Sequence, residues 1–263
     1  MNCQPLISII TVAYNAVSTI EETILSVINQ TYPNIEYIII DGGSTDGTID
    51  IINKYEDKIT YWISEPDKGI YDAMNKGIDK ATGEWINFMN CGDTFYSNTT
   101  IDDVFKKANL KSDIIYGNTN LLYSVGNYIK SGDKVSDINY MPFCHQSSFV
   151  KTIFMKEYNF DLQYKICADK NFFRIMYKTN KSFEYVDIII SNYDANFGIS
   201  STNYKQLIHE IGLIEEKNNT WKWKLYKTYF TIQCSIKNFA KKFIPNCIVE
   251  KIKREQIEKF ISK

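Results

Sequence analysis

The sequence predicts an α/β fold with a mostly parallel sheet flanked by helices. Over roughly the first ninety residues, short apolar runs rich in β-branched side chains alternate with helix-forming stretches; three of the runs lie at 6–13, 35–40 and 84–90. Continuous apolar runs are typical of strands buried on both faces, as in parallel sheets. A polar, turn-forming stretch follows each run, and open α/β sheets bind ligands at this edge. We therefore expect one binding edge at the carboxyl ends of the strands.

The first half of the chain is predicted to repeat strand and helix. Ser18 is the expected N-cap of the first helix, and the Ser-Thr-Asp stretch at 44–46 is expected to begin the second. Apolar residues at helical spacing predict a third helix at about 70–81. The predicted strands of this half are 6–13, 35–40, 59–63 and 84–90.

After Asp93 the alternation becomes irregular, which predicts a smaller, mixed half. One helix is expected at about 168–178, with apolar residues on its buried side. The strands predicted in this half are 114–118, 120–123, 147–151 and 183–193.

Composition limits the class of protein. The chain has 263 residues and is 44% hydrophobic, enough for one large domain with an appendage. It contains no run of eighteen apolar residues, and its first residues do not resemble a signal peptide, so a cytoplasmic protein is expected. The six cysteines form no Cys-x-x-Cys pair, so their spacing predicts neither a zinc site nor a disulfide framework.

Charge is distributed unevenly. Residues 217–263 hold eleven Lys, one Arg and three Glu, a net charge of +9, and residues 1–216 carry −10. We therefore predict a main domain at 1–212, divided into halves at about 1–95 and 96–212, and a basic helical tail at 213–263. One face of the tail is apolar and the opposite face carries lysines; the apolar residues are Leu225, Tyr229, Ile232, Ile236, Phe239 and Phe243.

A basic amphipathic helix suits an anionic membrane surface, where each Lys or Arg contributes about 1 kcal/mol. Packing of the same face against the domain or a second subunit is the alternative. Binding of nucleic acid is not expected, because no recognised module accompanies the charge.

Two loops at the predicted binding edge contain residues that could bind phosphate or a metal ion. The loop at 41–47 has two glycines at the outer spacing of a phosphate loop, but Thr48 and Ile49 stand where Lys and Ser or Thr would follow. An ordinary strand-to-helix turn remains open here. In the Asn-Cys-Gly-Asp stretch at 90–93, a carboxylate after an apolar strand can bind Mg²⁺ or Mn²⁺ with diphosphate oxygens, although a lone Asp is also common in turns.

Five segments in order resemble the family 2 glycosyltransferases. The order and spacing of these segments carry the resemblance, which covers about residues 6–200; the segments are 8–15, 41–48, 72–78, 81–86 and 90–93. The Asp-Gly-Gly-Ser and Asn-x-Gly-Asp forms look most like the branch that assembles capsules, O-antigens and colanic-acid-like polymers. The resemblance implies a GT-A fold, a nucleotide-sugar donor, a divalent metal and inversion at the anomeric carbon.

The resemblance also implies roles for particular residues. On the donor side, Tyr14 and Asp41 would contact the nucleotide base, and Asp93 would carry the metal, since it is the only acid left where relatives often have Asp-x-Asp-Asp. The further donor-side residues are Lys68, Asn75 and Asn90. His145 and Gln146 would line the acceptor side, and Asp169 would be the catalytic base. For His145 a purely structural role stays open, and for Lys68 a solvated loop position does.

The expected reaction moves a sugar from a UDP-sugar, in preference to a GDP-sugar, to a lipid-diphosphate-linked saccharide during synthesis of bacterial surface polysaccharide. The enzyme would work peripherally at the inner face of the cytoplasmic membrane. Two alternatives remain open: a nucleotidyltransferase, and an inactive sugar-nucleotide-binding or assembly protein. Donor sugar, linkage and oligomeric state are not determined by the sequence.

Overall fold

The structure is a computed structural model that describes residues 4–132, 135, 137, 141–195, 203–240 and 254–255, with side chains described outside 236–240. Strands and helices alternate in its first half. In chain order these elements are β1 (Ile7–Ala13), α1 (Ile20–Ile28), β2 (Ile35–Asp41), α2 (Thr48–Lys54), β3 (Tyr61–Ser64), α3 (Ile70–Lys80) and β4 (Trp85–Phe88).

The remaining elements are a mixture of strands and helices. They are β5 (Thr94–Phe95), α4 (Thr100–Lys107), β6 (Ile114–Tyr123), β7 (Gly126–Lys130), β8 (Ser148–Lys151), α5 (Thr152–Tyr158), α6 (Ala168–Lys178), β9 (Phe183–Asp194), α7 (Tyr204–Ile214) and α8 (Trp221–Ala240). A short 3-10 turn, His145–Ser147, leads into β8.

The strands form one sheet, in the order β3-β2-β1-β4-β8-β6-β9-β5, with β7 paired to β6. The first four strands run parallel: β1 pairs with both β2 and β4, and β2 with β3. Beyond β4 the sheet becomes mixed, because β8 pairs antiparallel with both β4 and β6. The predicted α/β class, with a mostly parallel sheet and a smaller mixed half, is confirmed.

The parallel strands were predictable because both of their faces are buried. All seven residues of β1 are buried. Helix α1 covers this part of the sheet with Ile20, Thr23, Ile24 and Val27, which recur at the three- and four-residue spacing of one helix face. Each fully buried Ile or Val contributes about 1.5–3 kcal/mol relative to an exposed position. The packing of α1 against β1 therefore stabilises the part of the sheet from which the loops extend.

Several predicted boundaries need correction. Ser18 does not cap α1; the helix begins at Ile20, where the carbonyl of Ala16 accepts the backbone N–H groups of Thr19 and Ile20. Helix α2 begins at Thr48 rather than at 44–46, because Asp46 accepts hydrogen bonds from the backbone N–H and the hydroxyl of Thr48.

Other elements were not predicted from the sequence, or were predicted as two elements where the structure has one. The two strands predicted at 114–118 and 120–123 are one strand, β6, and the third strand begins at Tyr61, after a 3-10 turn, rather than at 59. The sequence analysis assigned no element to β5, β7, α4, α5 or α7. Helix α4 spans only eight residues, so it carries little periodic signal.

Contacts divide the chain into two compact units. The first comprises 1–120 and 130–193, and the second comprises 121–129 and 194–263. Helix α7 therefore groups with α8. The domain boundary predicted at 212 stays a prediction. In the second unit, Trp223 packs against Gly212 of α7. Among the described residues, no helix combines the length and the apolar character needed to span a bilayer.

Helix α3 lies unusually close to β1. A Cβ atom built on Gly77 would lie 2.5 Å from Cγ2 of Ile10, which is fully buried in β1. Only a residue without a side chain allows this approach. Because Tyr71, Met74 and Ile78 of the same helix are also buried, Gly77 sets the distance of the whole helix from the sheet.

We predict that Gly77→Ala lowers the free energy of unfolding by about 1–3 kcal/mol, the usual cost of overpacking a core. Helix propensity alone predicts the opposite sign, since Ala is favoured over Gly by about 1 kcal/mol. Urea denaturation measures the difference. Asp79→Ala, at an exposed position of α3, is the matched control and should change stability little. A Gly77→Ala protein more stable than wild type would contradict the close contact.

Candidate active site

The loops that follow β1 and β2 are tied together by side chains. The backbone N–H of Asn15 donates to the hydroxyl of Ser44 at 2.7 Å, and the backbone N–H of Thr45 donates to the side-chain oxygen of Asn15 at 3.0 Å. Asp46 and Thr48 accept from the next two backbone N–H groups, those of Val17 and Ala16. Asn15 adopts a φ of 47°, which asparagine tolerates better than most residues. The two strand ends therefore form one ordered edge.

Asp41 organises this edge from within. Its side chain is fully buried, and Oδ2 accepts from the backbone N–H groups of Gly43 and Ser44 at 3.0 and 2.8 Å and from the hydroxyl of Ser64 at 2.6 Å. Oδ1 accepts from the hydroxyl of Ser44. In the structure Asp41 thus links the ends of β2 and β3. Its predicted hydrogen bond to a nucleotide base stays a prediction.

Tyr14 provides an open aromatic surface at the same edge. Its side chain is 67% exposed, which is unusual for a large ring that follows a buried strand. Gly42 lies beneath it: a Cβ there would approach Cδ2 of the ring to 3.3 Å and collide with the carboxylate of Asp67. A planar base could stack on this ring with Asp67 beside it, which the sequence analysis did not identify.

Two residues that were predicted to contact the nucleotide-sugar donor make other contacts in the structure. Lys68 lies in the exposed loop before α3, where its backbone N–H donates to Asp72 at 2.9 Å. Asn75 uses both polar atoms of its amide on the backbone of Phe160, at 2.8 Å each. In this structure Asn75 joins α3 to the loop after α5 and does not present a free amide. A donor contact for either residue stays a prediction.

The turn after β4 is held against the 3-10 turn before β8. Asn87, fully buried in β4, donates its amide to the carbonyls of Gln146 and Ser148, both at 2.9 Å. Beyond the end of β4, Gln146 donates to Oδ2 of Asp93 at 2.7 Å. The structure thus brings together Asn90, Asp93, His145 and Gln146, which the sequence analysis assigned separately.

Asp169 joins this group through His145. Nδ1 of His145 lies 3.2 Å from Oδ2 of Asp169, and Nε2 lies 3.2 Å from the amide nitrogen of Asn90. Oδ1 of Asp169 accepts from the backbone N–H of Lys170 at 2.8 Å and lies 3.0 Å from the hydroxyl of Tyr71, which shares its one proton with the carbonyl of Ile166 at 2.7 Å. The result is a hydrogen-bonded chain, Asn90-His145-Asp169-Tyr71.

Opposing effects act on the acidity of Asp169. Burial raises the pKa of its carboxyl, but the hydrogen bonds from His145, Lys170 and Tyr71 lower it by more, so the pKa lies below its usual value. The carboxylate is therefore ionised at neutral pH. The pKa of Tyr71 is raised well above its usual value, by burial first and then by the charge of Asp169, so its phenol remains a hydrogen-bond donor.

Tyr71 was not identified from the sequence. It stands immediately before the 72–78 segment that carries part of the family resemblance, and it occupies the buried face of α3. A buried tyrosine usually finds a partner for its hydroxyl, and that partner could have been sought among the predicted acids.

Asp93, Asn90 and Gln146 carry the type of oxygen that suits a hard divalent cation. Asp93 is 6% exposed, and the side-chain oxygens of Asn90 and Gln146 are buried without a hydrogen-bond partner among the described residues. Carboxylate and amide oxygens are the donors that Mg²⁺ and Mn²⁺ prefer. Within the described part of the chain, no three His, Cys, Asp or Glu side chains cluster as a metal site. Any cation here would depend on one carboxylate, neutral oxygens and the ligand.

The chain is similar to known glycosyltransferases. Residues 8–179 match the family described as Glycosyl transferase family 2. The PGL/p-HBAD biosynthesis glycosyltransferase of Mycobacterium bovis is 30% identical over 210 residues, covering 75% of this chain and 80% of the relative. An uncharacterized glycosyltransferase of Haemophilus influenzae is 37% identical over 152 residues, covering 55% of this chain and 59% of the relative.

Solved structures share the fold. S. aureus TarS in complex with UDP-GlcNAc superposes with a TM-score of 0.65 at 18% identity, over 80% of this chain and 66% of that one. The mannosyltransferase PcManGT of Pyrobaculum calidifontis, in complex with GDP-Man and Mn²⁺, gives 0.64 at 14% identity, over 82% and 64%. The chain spans 39% of the length of a longer TarS structure.

If Asp93 carries a cation, Asp93→Ala should remove Mn²⁺-dependent binding of UDP and GDP while leaving the fold intact. Ligand binding raises stability by RT ln(1 + [L]/Kd), so the melting temperature with Mn²⁺ and nucleotide measures it. Asp57→Ala, an exposed acid, is the control and should keep the wild-type shift. An undiminished shift in Asp93→Ala would show that the cation binds elsewhere.

Proposed function

Since the chain belongs to glycosyl transferase family 2, we propose that it transfers a sugar from a nucleotide-sugar donor to a hydroxyl of a lipid-linked saccharide, with inversion at the anomeric carbon. One observation carries the proposal. Gln146 holds Asp93 and the adjacent His145 holds Asp169, so two carboxylates with different surroundings flank residues 145–146. One suits the leaving diphosphate and the other the incoming hydroxyl.

The two carboxylates have different roles in the reaction. The oxygen of the acceptor hydroxyl attacks the anomeric carbon, the bond from that carbon to the diphosphate oxygen breaks, and the nucleoside diphosphate leaves with the bonding electrons. Asp169, ionised because its pKa is low, accepts the hydroxyl proton. Asp93, with oxygens from Asn90 and Gln146, would hold a divalent cation, which would supply positive charge for the departing diphosphate.

The donor lies along the edge formed by β1, β2 and β4. Its base stacks on Tyr14, with Asp41 or Asp67 as acceptor for a base N–H group, and Lys68 lies on the exposed side where phosphates pass. A uracil or guanine base meets this requirement, and UDP is preferred over GDP. Relatives of this fold in complex with UDP-GlcNAc and with GDP-Man support this class of donor.

A lipid-linked acceptor is proposed on two grounds. A relative named for PGL/p-HBAD biosynthesis is 30% identical. In the second unit, helix α8 exposes an apolar stripe flanked by lysines; its most exposed members are Trp221, Leu225, Tyr229 and Ile232, at 68, 61, 60 and 52%. The predicted stripe residues Ile236, Phe239 and Phe243 lie outside the described side chains. Trp221 is the first residue of α8, and Trp223 packs inward on Gly212.

We therefore propose that α8 attaches the protein peripherally to the inner face of the cytoplasmic membrane, where a saccharide chain for surface polysaccharide is extended. Lys222, Lys224 and Lys227 would attract anionic headgroups while the stripe enters the interface.

A glycosyltransferase, a nucleotidyltransferase and an inactive sugar-nucleotide-binding protein differ in the product that they release. Two substrate panels test all three: nucleotide sugars with a polyprenyl-diphosphate saccharide, and nucleoside triphosphates with sugar 1-phosphates. Transfer releases nucleoside diphosphate from the first panel, a nucleotidyltransferase releases pyrophosphate from the second, and an inactive binding protein releases neither. With the productive donor, we expect Asp169→Asn to reduce transfer by about 10²–10⁴-fold, because it keeps the size of the side chain but removes its basicity.

Donor affinity should hardly change in Asp169→Asn, and Asp161→Asn, an exposed acid in the same half, should transfer at the wild-type rate. Near-normal transfer by Asp169→Asn would exclude Asp169 as the base. Loss of donor binding together with transfer would instead indicate a donor-side role.

For the membrane, we predict that Leu225→Glu with Ile232→Glu abolishes cosedimentation with anionic phospholipid vesicles. Each apolar side chain withdrawn from the interface costs about 1.5–3 kcal/mol. The matched control, Gln233→Glu with Ser235→Glu, adds the same charge at exposed polar positions of α8 and should retain most binding. If both proteins lost vesicle binding equally, the membrane contact would depend on charge alone. If neither lost binding, the proposed membrane contact would be contradicted.

A further inference from the structure

His145 lies between the predicted donor and acceptor groups of the site. It begins the 3-10 turn before β8, and its side chain contacts Asn90 on one side and Asp169 on the other. Resting on the proposed function, we propose that His145 is a positioning residue: its Nδ1–H holds one oxygen of Asp169 in place for the acceptor hydroxyl, and Asn90 fixes the ring for that task.

The contact to Asn90 determines which ring nitrogen carries the proton. The amide nitrogen of Asn90 can only donate, so Nε2 of His145 accepts at this 3.2 Å contact. With Nε2 accepting from Asn90, the N–H on Nδ1 points to Asp169 at 3.2 Å. Asn90 is 7% exposed and follows directly from β4, so the ring is oriented by a rigid neighbour.

The hydrogen bonds of Asp169 leave room on one of its oxygens for the proton of the acceptor hydroxyl. A carboxylate offers about four lone-pair sites. Among the described residues, Oδ1 faces two donors, the backbone N–H of Lys170 and the hydroxyl that Tyr71 shares with the carbonyl of Ile166, and Oδ2 faces one, His145. Oδ2 therefore has more room for the acceptor proton, next to the His145 contact. The position of this oxygen depends on His145.

His145 also keeps the carboxylate ionised. The titratable groups that face Asp169 are His145, from the 3-10 turn, and Tyr71, from α3; Cys167, just before α6, acts on Tyr71. Burial raises the pKa of Asp169, and the His145 hydrogen bond is the first of the contacts that lower it. Without that bond, the pKa rises. Activity, which needs the ionised base, is then lost at a higher pH as the solution is acidified.

Two variants separate the ring nitrogens. An Asn side chain places its amide near the position of Nδ1, and a Gln side chain places its amide near Nε2. We expect His145→Gln to transfer about 10²-fold more slowly, the scale of cost for a group misplaced by about 1 Å. His145→Asn should recover most of that loss. Donor affinity is measured in both variants, because His145 also contacts Asn90 on the donor side, and similar values in the two would assign the difference to the transfer step.

The pH dependence gives a second readout. In His145→Gln the acidic limb of the rate profile should move to higher pH, and in His145→Asn it should stay nearer the wild-type position. Equal rates in the two variants, or a faster His145→Gln, would overturn the inference, because Nδ1 would then not be the atom that matters.

A measurement without catalysis distinguishes this inference from the proposed function. The Asp169 carboxyl can be followed by ¹³C NMR titration and assigned by its absence in Asp169→Asn. We expect a raised pKa in His145→Gln and a smaller change in His145→Asn. If no donor is ever turned over but this difference is found, the proposed function fails and the positioning role stands. An Asp169 pKa that neither variant moves overturns the positioning role, whatever the activity.

Discussion

The hydrogen bonds of one buried amide hold the candidate site together. Asn87 of β4 donates to two carbonyls of the segment that leads into β8, which fixes this segment beside β4 just before the antiparallel pairing begins. A buried amide that lost such partners would cost about 1–3 kcal/mol, so the register is strongly determined. Asp93 follows β4, and His145 and Gln146 precede β8. Their approach is therefore a consequence of strand pairing.

This arrangement explains why the site combines two kinds of environment. On one side of residues 145–146, Asp93 accepts from the amide of Gln146, and the side-chain oxygens of Asn90 and Gln146 have no partner among the described residues, which suits a cation. On the other side, Asp169 is surrounded by hydrogen-bond donors that keep it ionised. Two carboxylates of the same chemical type thus acquire different properties from their neighbours, and the adjacent residues His145 and Gln146 provide part of each environment.

The sequence predicts what depends on local pattern. The strands β1 and β2 were identified because burial on both faces leaves a continuous apolar run, and helix α3 because its periodicity is clear. The cap of α1 was assigned wrongly, because the backbone of Ala16 and distant side chains replace Ser18 in that role. Asp93 and Asp169 were identified through the family resemblance. The hydrogen bonds that connect them join residues 24 to 98 positions apart, and no local pattern encodes such pairs.

The close approach of α3 to β1 also constrains how such a sequence can evolve. Gly77 stands six residues after Tyr71, or about 9 Å along the helix, so the contact with Ile10 sets where the Tyr71 hydroxyl lies. A larger residue at either position would displace that hydroxyl from Asp169 even in a protein that still folded. Residues 10 and 77 should therefore covary in natural sequences, with a gain in volume at one matched by a loss at the other. In this part of the core, selection for turnover and selection for packing act on the same pair of positions.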